Sequence, residues 1–169
     1  GLVFCAAFER AGVRAHPEID SEMIVRIIGE VSLRNNQVQV EIKSMKRLWG
    51  GEASAVKDKI EQAIDRRAEP SATEFLVQSE IMTRLLPAMK QVAKEIRRAV
   101  LKSQPIVVRH HADADGITAA VAIENAILPL IKEVGGPDAE YYNYRRAPSK
   151  APFYELEDVT KDLTYALED

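Results

Sequence analysis

The stretch from Pro105 to Ile131 constrains this chain more than any other part of it. Pro105 follows Ser103-Gln104 and stops the helix before it. Ile106-Val107-Val108 is then a short unbroken apolar run, the pattern of a strand buried on both faces. After it come His110-His111-Ala112-Asp113-Ala114-Asp115-Gly116 and a long apolar helix from Ile117 to about Ile131. Gly135-Gly136-Pro137 ends that unit. Tyr141 to Tyr144 reads as a second strand, Arg145 to Pro152 as a basic loop, and Val159 to Leu167 as a helix. Helix, buried strand, loop, helix and strand in that order predict an α/β fold with a parallel sheet.

The segment between strand and helix carries the chemistry. In extended chain, side chains at i, i+2 and i+4 point the same way. His111, Asp113 and Asp115 have that spacing and can converge at the carboxyl end of the strand, where open α/β sheets place their ligands. Two adjacent carboxylates repel unless a cation lies between them or one is protonated. One imidazole and two carboxylates suit a divalent metal, and the N and O donor mixture leans towards Mn²⁺ over Mg²⁺. Gly116 lets the backbone turn sharply into a helix whose N-terminus could face a phosphate. The alternative is an acidic loop in which Asp115 only caps the helix.

The run His111-Ala112-Asp113-Ala114-Asp115-Gly116 resembles the first signature motif of the DHH phosphoesterase superfamily, which includes RecJ exonucleases. The likeness extends over roughly residues 106–127. It implies that His111, Asp113 and Asp115 are catalytic metal ligands for a pair of Mn²⁺ or Mg²⁺ ions. In such a two-metal site the ions activate a water that attacks a phosphodiester. His110, the neighbour, is expected to point the other way and to be structural. The superfamily also has a further aspartate motif and an Asp-His-His triplet. The three histidines of this chain are His16, His110 and His111, so the triplet is absent from it. Asp158 and Asp162 could supply a later acidic ligand, but the favoured reading makes both helix-start acids. With half a metal site, the chain by itself is expected to be inactive.

Upstream lies one hairpin. In Met23–Leu33 the residues Val25, Ile27, Val31 and Leu33 share a face, Arg34-Asn35-Asn36 is turn material, and Val38, Val40 and Ile42 point inward from the return strand. Gly29 suggests a bulge. The strand ending Lys43 to Leu48 resembles the last strands of an OB-fold, a fold that binds single strands by charge and stacking, with Trp49 the one obvious stacking residue nearby. Archaeal RecJ-like proteins, which join an OB-fold to a DHH core through helices, resemble this order. Gly50-Gly51 marks a break. Residues 52–67 read as a helix with Val56, Ile60 and Ile64 in line, and Ser71 with Glu74 as the cap of a second apolar helix from Phe75 to Leu86. Pro87 kinks that helix or begins the next, which carries Val92, Ile96 and Val100.

The division expected is therefore 1–50, an incomplete OB-like β module; 51–104, a helical connector; and 105–169, the N-terminal part of a DHH domain. Net charge runs +1, +2 and −6 across those thirds. The last third is poor at binding nucleic acid by charge and good at holding cations. Within it Arg145, Arg146 and Lys150, beside Tyr142 and Tyr144, could hold a nucleic-acid backbone or could be solvated surface. The single Cys5 excludes an internal disulfide and fits a reducing compartment, the cytoplasm by default. No signal peptide is read, and no apolar run reaches the ~18 residues of a membrane span. The chain opens at Gly1 and closes within a helical pattern, so it is read as a piece of something longer.

The expected parent is an enzyme: a RecJ-like, metal-dependent nuclease acting on single-stranded DNA or RNA, with replication or repair proteins as possible partners. Two rivals stand beside it. One is a DHH phosphodiesterase for oligonucleotides or cyclic dinucleotides. The other is a scaffold module that kept the motif and lost catalysis.

Overall fold

A computed structural model describes residues 3–7, 13, 15–34, 37–71 and 75–168. The chain divides into two compact units, Gly1–Glu69 and Pro70–Asp169, so the division falls inside the stretch expected as a connector.

In the first unit, β1 (Phe4–Ala6), β2 (Val25–Arg34) and β3 (Gln37–Arg47) form a three-stranded sheet in the order β1-β3-β2. β2 and β3 are the expected hairpin. Val31 lies opposite Val40 and Leu33 opposite Val38, so the apolar residues do share a face. Asn35 and Asn36 of the expected turn lie outside the described residues. The register shifts between Ile28 and Gly29, the bulge that the glycine suggested. A Cβ on Gly29 would overlap the carbonyl oxygen of Glu41, so the strands can approach here only without a side chain. The inward assignment holds in part: Val40 and Ile42 are half-buried, whereas Val38 is 56% exposed, as are Val31 and Leu33 opposite, at 74% and 69%. Alternation reports which side chains share a face, whereas burial needs a second layer over it. β1 runs parallel to β3, with Cys5 opposite Val40. Helix α1 (Gly50–Ala68) follows directly, so Gly50-Gly51 opens the helix instead of breaking the chain.

In the second unit, α2 (Glu80–Leu101) is one continuous helix with Pro87 inside it. Its cap is Ser79, whose Oγ accepts from the Met82 N–H at 3.0 Å, and not Ser71; Glu74 lies outside the described residues. β4 (Ile106–His111) is followed by α3 (Ala114–Gly135), the short α4 (Ala139–Asn143), β5 (Tyr144–Ser149) and α5 (Leu156–Glu168). β4 and β5 pair in parallel from Ile106↔Tyr144 to His111↔Ser149, the parallel α/β arrangement expected. The second strand begins three residues later than expected. Tyr141–Asn143 belong to α4, and Arg145–Ser149 are strand, not a basic loop.

The core of this unit gathers Val100 from α2, Ile127 and Ile131 from α3, and Ala139 from α4, with Ile106 and Tyr144 packed against them. Ile131 is 1% exposed. By length and composition α3 is apolar enough to cross a membrane. It packs against β4, α2 and α4, and its Glu124 carboxylate lies 3.7 Å from the Arg146 guanidinium of β5. It is the central helix of the unit, and it fixes where β4 ends and the next helix starts.

Candidate metal centre

His111 is the last residue of β4 and Asp113 is the N-cap of α3. Two residues past the strand end, Asp113 brings its side chain against His111, the pair that the i, i+2 spacing predicts. His111 Nδ1 lies 2.6 Å from Asp113 Oδ2, and His111 Nε2 lies 3.0 Å from the Lys150 carbonyl oxygen. Asp113 Oδ1 accepts the Gly116 N–H at 3.0 Å. That backbone N–H, ahead of the hydrogen bond and charge of His111, holds the Asp113 carboxyl below the usual carboxylate range against an opposing desolvation.

Asp115 corrects the simple spacing argument. Helical geometry begins at Ala114, so Asp115 sits in the first turn of α3 and the i+4 alternation from His111 does not reach it. The helix cap is Asp113, where Asp115 had been the alternative. Among the described residues no group of three histidine, cysteine or acidic side chains is drawn together as a ready metal site. The contacting pair is His111 with Asp113, and Asp115 stands beside it. Gly116 is required by the close approach. A Cβ there would overlap the His111 carbonyl oxygen and come within 2.8 Å of Asp113 Oδ1. Gly116→Ala is therefore expected to destabilise the second unit by roughly 1–3 kcal/mol, read by urea denaturation of the chain.

Beneath the pair is an ion cluster that the sequence reading missed. Arg109 Nη1 donates to Asp158 Oδ1 at 2.8 Å, while Nη2 and Nε donate to Asp162 at 2.6 and 3.1 Å. Arg109 and Asp158 side chains are 13% and 8% exposed. Ser149 Oγ donates to Asp158 at 2.9 Å and Tyr154 OH to Asp162 at 3.0 Å. The hydrogen bond with Asp162 raises the Arg109 guanidinium further, and the same bond holds the Asp162 carboxyl down. Asp158 and Asp162 are thus the counter-ions of a strand arginine, and not plain helix-start acids. A signal was present: a charge inside a short strand needs a partner, and two aspartates four apart share a helix face.

Arg145 and Arg146 are also engaged within the chain. Arg145 donates to Asp162 at 3.1 Å and stacks on the Tyr165 ring at 4.1 Å; Arg146 faces Glu124. Lys150 is exposed at the end of β5, and its carbonyl meets His111. A cavity of about 300 Å³ opens beside the pair, lined by Arg109, His110, His111, Ser149, Phe153 and Tyr154 among others. His110 also borders that cavity, and its Nδ1 lies 2.7 Å from the His111 carbonyl oxygen.

No protein-family model matches the chain. A solved structure described as "Member of s1p family of ribosomal proteins PF0399 DHH domain" is similar over 72% of this chain, at 51% identity and a TM-score of 0.68. The fold is thus that of the DHH-domain superfamily, the class that the strand, motif and helix had indicated. A Methanocaldococcus jannaschii protein called "Uncharacterized protein MJ1198" is 51% identical over 99% of this chain. The chain spans 22% of that relative and 28% of the solved chain.

Proposed function

We propose that this chain carries the first metal-binding motif of a DHH-type phosphoesterase that hydrolyses phosphodiester bonds in single-stranded nucleic acid. The observation that carries the reading is the contact of His111 with Asp113 at 2.6 Å, at the carboxyl end of a parallel strand and the N-terminus of α3. An imidazole and a carboxylate already in contact, with a second carboxylate adjacent, fit the donor preferences of Mn²⁺ or Mg²⁺. His111, Asp113 and Asp115 would hold the metal, and residues elsewhere in a longer polypeptide would complete the site. When bound, the metal supplies an activated water and screens the charge of the phosphate. The chain's own residues keep the donors in place. Gly116 N–H orients Asp113, the Lys150 carbonyl orients His111, and the Arg109 cluster ties α5 to the strand ends.

The first unit supports a polymer substrate. Its strand order β1-β3-β2, with β1 parallel to β3, is not a meander and is compatible with the end of a Greek-key barrel of OB type. At the end of β3 the Arg47 guanidinium lies 3.4 Å from the centre of the exposed Trp49 ring, a cation–π contact beside which a base could stack.

The chain alone is expected to bind Mn²⁺ weakly and to leave single-stranded DNA uncut, since half a ligand set leaves a metal mostly to water. Calorimetric titration with Mn²⁺ and a gel assay on labelled strands measure both. Mn²⁺-dependent cleavage by these residues would show that the missing motifs are dispensable.

A further inference from the structure

Resting on that reading, we propose that Phe153 stacks on a nucleobase of the single strand whose phosphate lies at His111 and Asp113. Phe153 sits in the segment between β5 and α5, which is fastened on both sides. Before it, Ala112 N–H donates to the Ser149 carbonyl at 3.0 Å, Ser149 Oγ donates to Asp158, and the Lys150 carbonyl meets His111. After it, Tyr154 OH is committed to Asp162, and the Glu155 N–H lies 3.4 Å from Asp158 Oδ2.

Between these anchors Phe153 is 72% exposed and borders the same cavity as His110 and His111. A large apolar side chain held out into water on a fastened segment costs solvation without core packing in return. The fastened backbone leaves mainly the ring's own rotation to be ordered when a ligand binds. Phenylalanine has no polar atom to donate, so it recognises a flat apolar surface, and a nucleobase presents one whatever its sequence. Ala151 and Pro152 line the same cavity beside Phe153 and the two histidines.

The test uses the whole chain with Mn²⁺ and two probes of equal length and charge, a single strand carrying 2-aminopurine and its abasic counterpart. Phe153→Ala is expected to weaken the base-bearing strand by about 5- to 100-fold. It should leave the abasic strand and Mn²⁺ affinity unchanged and remove the quenching of 2-aminopurine fluorescence. Phe153→Trp should restore both affinity and quenching. Equal weakening of both strands would mean that the ring only braces its segment, and no weakening would mean that it touches no base; either overturns the proposal. Failure of the wider reading looks different: the unaltered chain would bind neither strand, and the inference would fall with it.

Discussion

Asp113→Asn, carried in a polypeptide as long as the relatives, is expected to lower Mn²⁺-dependent hydrolysis of single strands by more than about 100-fold, since even residues that only support metal ligands cost 10–100-fold. The substitution separates the two duties of this side chain. Asparagine caps helices as well as aspartate does, so the bond from Gly116 N–H to the side-chain oxygen survives. Folding stability should therefore change by less than about 0.5 kcal/mol. What is lost is the negative charge opposite His111, and with it most of the metal affinity. Strand binding should persist, since stacking and phosphate contacts elsewhere do not use Asp113. The measurements are hydrolysis rate against Mn²⁺ concentration, the urea midpoint, and strand affinity across a salt series. Normal hydrolysis by Asp113→Asn would reduce the aspartate to a helix cap and sink the metal reading. A parent that cleaves nothing with any divalent metal would favour the scaffold reading instead.

Arg109→Met is expected to cost about 3–5 kcal/mol of the second unit's stability, the penalty for leaving buried acids without their cation. Two carboxylates lose it at once, Asp158 at 2.8 Å and Asp162 at 2.6 Å. Arg145 and Tyr154 still reach Asp162, so Asp158 is the more exposed to this loss. The pH dependence fixes the cause. With Arg109 in place the Asp162 carboxyl is held below its ordinary value, so its contribution is present above about pH 4 and is lost as pH falls through the depressed value. Without Arg109 the largest cause of that depression is gone, so the variant should lose less stability than the parent as pH falls through the acidic range. Urea denaturation at a series of pH values reads both slopes. A variant that loses stability in parallel with the parent would show that the cluster contributes little.

What was legible in the sequence was what neighbouring residues impose on each other. The i, i+2 spacing placed His111 against Asp113, and Gly116 announced the tight entry into α3. Alternation put Val31 across from Val40, and Gly29 marked the bulge. Asp115 shows where the same argument stops, because the strand's period of two holds only until the helix starts at Ala114.

Tertiary structure decided the rest, for reasons of distance along the chain. Arg109 meets its acids 49 and 53 residues away, and no local period reports such a pairing. The same packing pairs Arg145 with Asp162, sets Arg146 3.7 Å from Glu124, and brings the segment of Phe153 to the cavity that the histidines line. Spacing determines which side of its own strand or helix a residue occupies. What that side faces depends on the layer the rest of the chain sets against it, which is why the hairpin's apolar face was legible and its exposure was not.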